Sequence, residues 1–327
     1  MPKVTVIIPA FNSAPFVGRA IHSVLQQTFQ DLELIVVDDG STDETSHEVK
    51  SFSDRRISYV FQPNQGPNAA RNHGINRAKG ELLAFLDSDD WWLPRKLEVQ
   101  LSRLSSVLEA GLVYCSTLKV DEEGRLLKFR PALLEGWVLP RLIMSNHIAA
   151  PSSVLIPRRV LDEVGLFDEQ LWRAEDWEMW LRIAAAFPLA AVKDPLACIT
   201  YRRYGHGRNV PALRDDSLVV LEKAFGSYAA HMRHLRAKAF ARVHLRAGIS
   251  FATSGQLRES RGELIKALQM DPSLLEAYWR VGLTFLGSTI NSRGRQAKEI
   301  IRLRMIRSRR IGAEVIPGID EGAVKDA

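Results

Sequence analysis

The chain has 327 residues, of which 46% are hydrophobic and 25% charged, and its net charge is +6. This is the composition of a soluble globular protein with room for one large or two modest domains. Two distant cysteines, Cys115 and Cys198, exclude a disulfide framework, and the sequence has no apolar run near 18 residues that would predict a spanning helix, so we expect a cytoplasmic location.

In the first 86 residues, apolar runs typical of strands alternate with segments in which apolar residues recur at helical spacing. Met1-Pro2-Lys3 leads directly into an apolar run, without the layout of a secretory leader. Strands are predicted at 4–8, 32–37, 57–61 and 81–86, with helices at 16–29 and 69–78. Such alternation predicts βαβ units and a parallel sheet covered on both faces, which binds ligands at the carboxyl ends of its strands. Those ends carry Asn12, Asp38, Asp39, Asp87 and Asp89.

The middle of the chain continues this pattern less clearly. We predict a helix at 96–108, a strand at 112–120, a helix at 176–187 and strands at 189–192 and 196–201, whereas residues 121–150 give no clear prediction. Proline and glycine at 205–211 predict a loop and a domain edge.

The last third is helical and basic. Residues 219–327 carry 19 Lys/Arg and 10 Asp/Glu, a net charge of +9, whereas the first 218 carry 25 and 28, a net charge of −3. This asymmetry indicates parts with different partners. We predict domains at 1–210 and 211–290 and a basic tail at 291–327.

Residues 241–274 are similar to one tetratricopeptide repeat. The similarity rests on Gly248, Phe251, Gly255, Leu264, Ala267 and Pro272, and Gly282 and Phe285 repeat the first step 34 residues later. One repeat cannot bury a core alone, so it would dock on a protein partner or in a homodimer. An ordinary helical hairpin is the alternative.

Three acids crowd the end of the fourth predicted strand. Asp87, Asp89 and Asp90 lie within four positions, with Ser88 between the first two. Carboxylates this close repel one another unless a cation lies between them. The pattern therefore predicts a divalent cation, Mn²⁺ or Mg²⁺, and a diphosphate at this strand end; a solvated acidic turn is the alternative.

Four segments occur in a consistent order, at 6–12, 36–43, 64–72 and 85–90. Together they resemble the family 2 glycosyltransferases over roughly residues 3–205. The resemblance implies a GT-A fold, that is, a Rossmann-like α/β domain with a mostly parallel sheet. It also implies inverting transfer of a sugar from a nucleotide-sugar to a hydroxyl of a polysaccharide or lipid-linked glycan.

The resemblance also assigns roles to residues. It places Asp87 and Ser88 in the nucleotide site near the ribose, Asp89 and Asp87 at the metal, and Arg71 near the diphosphate. Asp39 matches an acid that accepts a hydrogen bond from the base, which favours UDP because a uracil imide is a donor. Pro9, Ala10 and Phe11 would form the wall of the base pocket.

A second acidic pair, Glu175 and Asp176, resembles the motif at the start of the family's acceptor-side helix. An inverting displacement needs a base for the acceptor proton, and a carboxylate can serve. We predict Asp176 as this base, with Glu175 as the rival; stabilisation of acids by the helix dipole is the structural alternative.

Residues 201–206 resemble the Tyr-Arg-x-His ending of many relatives. Tyr204 occupies the usual histidine position, and His206 follows as a candidate metal ligand. The alternative is a solvent-facing His206, with Arg202 or Arg203 compensating the diphosphate charge.

The tail at 293–310 carries eight Lys/Arg residues. It predicts either a peripheral membrane contact or a solvated end. No nucleic-acid partner is expected, because no recognisable binding module is present. The rival function is a non-catalytic nucleotide-binding scaffold. A dehydrogenase is disfavoured because no Gly-x-Gly-x-x-Gly follows the first strand.

Overall fold

A computed structural model describes residues 1–202 and 209–285 of the chain. In these residues nine strands form one mixed sheet in the order β3-β2-β1-β4-β8-β6-β9-β5, with β7 paired to β6. The strands are β1 (Val4–Ala10), β2 (Leu32–Asp39), β3 (Ile57–Gln62), β4 (Leu82–Phe85), β5 (Trp91–Trp92), β6 (Leu112–Val120), β7 (Leu126–Arg130), β8 (Val154–Pro157) and β9 (Leu189–Thr200).

The first four strands of that order are parallel, so β1, β2 and β4 end at the same edge of the sheet. Beyond β4 the sheet becomes mixed, because β8 pairs antiparallel with both β4 and β6. The predicted α/β class is confirmed, and the parallel half is the part that carries the motifs.

Helices cover both faces of the sheet. They are α1 (Ala14–Leu25), α2 (Thr45–Lys50), α3 (Pro67–Arg77), α4 (Lys96–Ser106), α5 (Leu139–Leu142), α6 (Arg158–Val164), α7 (Glu175–Ala186), α8 (Val210–Gly226), α9 (Arg236–Thr253), α10 (Leu257–Met270) and α11 (Leu275–Leu283). Helices α1, α2 and α4 pack on one face, and α3, α5, α6 and α7 on the other, each over its own hydrophobic cluster.

Two predictions of elements were wrong in detail. The helix predicted at 16–29 ends at Leu25, because the chain turns there to bring Thr28 N to the carbonyl of Pro94, 2.8 Å away. The two strands predicted at 189–201 are one strand, β9, in which Lys193 and Asp194 are exposed; these two charges interrupt the apolar pattern without interrupting the strand.

The helices after residue 209 form a hairpin that continues the core. Helices α9 and α10 pack against each other, and Gly255, with φ +78°, makes the turn between them. Side chains of α8 and α9, including Phe225 and Phe240, belong to the same hydrophobic cluster as α7. The domain edge at 210 and the tetratricopeptide assignment remain predictions. None of the helices in the described part of the chain is long and apolar enough to cross a bilayer.

Candidate active site

The acidic turn after β4 lies at the carboxyl edge of the parallel strands. Asp90 is buried, and its carboxylate accepts hydrogen bonds from Ser152 Oγ at 2.5 Å and from the backbone N–H of Thr200 at 2.8 Å. These bonds fix the turn to the end of β9. The side chains of Asp87 and Asp89 remain 29% and 26% exposed, and Ser88 Oγ lies 2.8 Å from Ser13 Oγ. The turn is therefore anchored by Asp90 and presents the other two acids.

Arg71 joins the two acidic pairs. Its guanidinium is buried and donates to Asp87 Oδ1 at 2.8 Å and to Glu175 Oε1 at 3.3 Å. Asn68 Oδ1, at 3.0 Å, accepts from the same group. The sequence placed Arg71 only near the diphosphate. The structure adds that this one cation lies between the turn after β4 and the start of α7.

Asp89 is a partly exposed acid of the turn with a raised pKa. Burial and the neighbouring charge of Asp87 raise the pKa of Asp89 to about 6. Among the described residues, the one cation paired with its carboxylate is Arg202, whose Nη1 lies 3.9 Å from Asp89 Oδ2. The two carboxylates, Asp87 and Asp89, carry an excess of negative charge and provide the oxygen ligands that Mn²⁺ and Mg²⁺ prefer. The residues present therefore fit a divalent cation.

Protein groups would supply only part of the coordination of such a cation. Within residues 1–202 and 209–285, no three His, Cys, Asp or Glu side chains are grouped as a protein-only metal site requires. Diphosphate and water oxygens would complete the coordination, as is common for Mg²⁺. His206, the third predicted ligand, lies outside the described residues.

Asp39 closes the loop at the edge of β2. Its carboxylate is buried and accepts from Gln62 Nε2 at 2.7 Å and from the backbone N–H groups of Gln65 and Gly66, each at 2.9 Å. Asp38 likewise accepts from the Tyr59 hydroxyl at 2.7 Å. The sequence assigned Asp39 to a base. The structure gives it a loop-closing function that does not exclude a further donor, since carboxylate oxygens accept several hydrogen bonds.

The end of β1 forms the other side of this edge. Pro9 and Ala10 are buried in the strand, whereas the Phe11 side chain is 44% exposed. Asn12 follows with φ +46°, and its Oδ1 accepts from Thr42 N at 2.8 Å. This contact ties the loop after β1 to the loop after β2 and leaves an aromatic ring at the solvent boundary of the site.

The second acidic pair occupies the first turn of α7. Burial and the charge of Glu175 raise the pKa of Asp176 to about 7. Burial also raises the pKa of Glu175, opposed by the neighbouring Arg71 charge. Asp176 accepts from the backbone N–H of Trp177 at 2.6 Å and from Asn146 Nδ2 at 3.2 Å. A carboxylate with a pKa near neutrality has the protonation behaviour of a general base.

Sequence reasoning missed two of the residues that shape this site. Asn146 lies in the stretch 121–150 that gave no clear prediction, and Asp90 was recognised only as one of three crowded acids. Their roles depend on partners far away in sequence, Asp176 for Asn146 and Thr200 for Asp90. No local pattern encodes such pairings.

Comparisons with known proteins agree with this architecture. Residues 5–164 match the model of the family described as Glycosyl transferase family 2. An uncharacterized glycosyltransferase of Nostoc sp. is 43% identical over 218 residues, covering 63% of this chain and 66% of that protein. The chain spans between 29% and 66% of the length of the curated relatives it matches.

Two solved structures are similar in fold. Residues 1–349 of S. aureus TarS, in complex with UDP-GlcNAc, give a TM-score of 0.62 at 19% identity, covering 90% of this chain and 92% of that one. The mannosyltransferase PcManGT from Pyrobaculum calidifontis, in complex with GDP-Man and Mn²⁺, gives 0.56 at 20% identity, covering 88% and 86%.

Proposed function

From the match of residues 5–164 to the model of Glycosyl transferase family 2, we propose that the chain moves a sugar from a nucleotide-sugar to an acceptor hydroxyl with inversion. The observation that carries the proposal is the Arg71 bridge, in which Nη2 contacts Asp87 and Nη1 contacts Glu175. A donor-binding acid and an acceptor-side acid thereby lie next to each other at the edge where parallel sheets bind ligands.

Asp87 and Asp89 would hold the divalent cation. Bound there, it would neutralise charge that develops on the leaving diphosphate. Arg71 holds the Asp87 carboxylate in place through an ion pair at 2.8 Å. Asp90 fixes the turn, so the two acids in front of it are preorganised for the donor.

Asp176 is proposed as the base. As the acceptor oxygen bonds to the anomeric carbon, the bond from that carbon to the diphosphate oxygen breaks and the acceptor proton passes to the Asp176 carboxylate. Arg71 opposes the effect of burial on the pKa of Glu175, and burial together with the charge of Glu175 raises the pKa of Asp176. Asp176 is therefore preferred over Glu175 as the base, because Glu175 is held in an ion pair with Arg71.

UDP is the favoured nucleotide. The buried Asp39 carboxylate lies at the edge of β2, next to the wall formed by the end of β1, where it can accept a hydrogen bond from a uracil imide. The TarS structure was solved with UDP-GlcNAc, which supports UDP, whereas PcManGT was solved with GDP-Man. The acceptor is proposed to be a polysaccharide or a lipid-linked glycan.

The proposal includes two further contacts. A protein partner or a second copy would dock on the helical region at 211–290, and the basic tail at 291–327 would touch an anionic membrane surface. The tail lies outside the described residues, so this second contact depends on its sequence alone.

A panel of nucleotide-sugars tests the proposal. We expect one UDP-sugar to raise the thermal midpoint in the presence of Mn²⁺, and the same donor to release UDP when an acceptor is added. A chain that binds no nucleotide-sugar under these conditions would instead favour a non-catalytic scaffold.

A further inference from the structure

A cavity of about 350 Å³ lies between the start of α7 and the helices α8 and α9. Asp176, the proposed base, forms part of its wall, together with Asn146. Four arginines also line it, and they come from separate parts of the chain: Arg130 at the end of β7, Arg173 before α7, Arg214 on α8 and Arg246 on α9. The cavity is thus built jointly by the catalytic domain and the helical region.

The charges of this wall are unbalanced. Asp176 is the one acidic side chain among the described lining residues. Arg214 is ion-paired with Asp215 at 2.7 Å and with Glu263 at 2.9 Å, both outside the cavity lining. Arg130 donates to the carbonyl of Asn146 at 2.7 Å and Arg246 donates to Ser145 Oγ, both of which are neutral acceptors. Over residues 1–202 and 209–285, neither Arg130 nor Arg246 has a carboxylate partner within 4.0 Å.

Desolvation in the cavity wall affects the pKa values of these arginines first, and neighbouring charges affect them second. Desolvation lowers the pKa of Arg246, as do the charges of Arg130 and Arg242, although Arg246 remains exposed to solvent. Burial also lowers the pKa of Arg130, which the charge of Asp176 partly offsets. The pKa of His147 is lowered by burial and by the same arginines. Cations crowded in this way are stabilised by an anion that binds between them.

We propose that this cavity binds an anionic group, phosphate or carboxylate, that belongs to the acceptor. The inference rests on the proposed function, because it uses the position of Asp176 as base. Arginine presents a planar fork of donors that matches both oxyanions. An acceptor anchored there by its anion would bring a neighbouring hydroxyl to Asp176.

The size of the cavity agrees with this assignment. It lies at the small end of the range for ligand pockets, roughly 300–1,000 Å³, which suits one sugar or polyol unit with its charged group. A neutral glycan would leave Arg130 and Arg246 without a counter-charge. The acceptor is therefore an acidic glycan or a phosphate-bearing polyol.

Binding of small charged probes tests the inference. The full chain is first saturated with UDP, so that the donor site is filled, and calorimetry then compares glycerol with glycerol 3-phosphate and methyl glucoside with methyl glucuronide. We expect the charged member of a pair to bind at least about tenfold more tightly, since charge-assisted hydrogen bonds are stronger than neutral ones. The two pairs distinguish phosphate from carboxylate.

Three variants make the test specific to the cavity. Arg246→Gln and Arg130→Gln should each weaken the charged probe about tenfold. Asp176→Asn should strengthen it, because a negative wall charge is removed. Arg258→Gln is the matched control; Arg258 is exposed on α10 and does not line the cavity, so probe affinity should not change.

The affinity for UDP distinguishes failure of the proposed function from failure of the proposed anion site. If the unaltered chain does not bind UDP, the proposed function fails. If UDP binds normally but charged and neutral probes bind equally or not at all, or if both arginine variants keep full affinity, the anion site is wrong and the proposed function stands.

Discussion

At the scale of single residues, the site depends on how one buried cation is shared. Arg71 contacts Asp87 and Glu175. Among the ion pairs of the described residues, Asp89 has only Arg202, at 3.9 Å, and Asp176 has none. Each acidic pair thus contains one paired and one poorly compensated acid. Arg71 opposes the effect of burial on the pKa of Glu175, whereas burial and a neighbouring carboxylate raise the pKa of Asp89 to about 6 and that of Asp176 to about 7, which suits a metal and a proton.

Asp89→Ala tests the metal half of this arrangement. Removal of the carboxylate should abolish the response of UDP affinity to Mn²⁺ and lower transfer by roughly 10³-fold, because a bound metal contributes several kcal/mol to catalysis. UDP titrations with Mn²⁺ and with EDTA measure the effect. Asp31→Ala, an exposed acid before β2, is the control. An Mn²⁺ response that survives in Asp89→Ala would contradict Asp89 as a ligand.

Asp176→Asn tests the base. It should retain UDP affinity and lose turnover by on the order of 10²-fold or more. Unchanged turnover would show that Asp176 is not the base, and that Glu175 or another residue accepts the proton.

The pH profile gives an independent check on the base. A carboxylic acid with its pKa raised to about 7 is protonated below that pH and then cannot accept a proton. The kcat of the unaltered chain should therefore fall as pH drops below 7, by about tenfold per unit. Burial and the charge of Glu175 raise this pKa, whereas Arg71 and the hydrogen bonds from Trp177 and Asn146 lower it, so Glu175→Gln should move the acid limb to lower pH. A limb that does not move would show that Glu175 does not act on the base.

At the scale of secondary structure elements, the parallel half was predictable and the rest was not. Strands β1, β2 and β4 are nearly continuous apolar runs, which is what burial on both faces requires. In contrast, β7 is short and mostly half-buried and α5 is a single turn, so neither carries a clear periodic signal and residues 121–150 gave no prediction. Asn146, the partner of Asp176, lies in that stretch, which is why the acids of the site were predictable and this orienting residue was not.

The hairpin of α9 and α10 offers a test at this scale. A methyl group on Gly248 would lie 2.7 Å from Leu264 Cγ and 3.1 Å from the carbonyl of Ser260, so the helices must separate. Gly248→Ala should lower the free energy of unfolding by about 1–3 kcal/mol. Urea denaturation followed by circular dichroism measures it.

Gly262 provides the matched control, since it lies within α10 and a methyl group there meets nothing within 4 Å. Gly262→Ala should raise the free energy of unfolding by about 0.5–1 kcal/mol, because alanine favours the helix. Equal effects of the two substitutions would show that the close approach of α9 and α10 at Gly248 is absent in solution.

At the scale of the whole molecule, the charge division along the sequence does not coincide with a division of the core. The basic last third begins inside α8, yet Val220, Leu221 and Phe225 of that helix are buried in the cluster that contains Trp180 and Leu181 of α7. The arginine-lined cavity lies across the same junction. The charge pattern therefore predicts that the two parts of the chain have different partners. The shared hydrophobic core determines which helices and strands unfold together.

Phe225→Ala tests whether the two parts unfold as one unit. Phe225 is buried beside Phe240, with ring centroids 6.4 Å apart, and its loss should cost about 3–5 kcal/mol. Six of the seven tryptophans lie between residues 91 and 180, so tryptophan fluorescence reports the sheet-containing part, whereas far-ultraviolet dichroism reports all helices. With a shared core, both signals should shift together to lower urea in Phe225→Ala. Leu275→Ala, at a side chain that is 78% exposed, should shift neither. If the urea midpoint shifts in the dichroism signal but not in the fluorescence signal, the chain divides near residue 210 into two units that unfold independently. In a single cooperative core, a cavity at Phe225 would lower the stability reported by both signals.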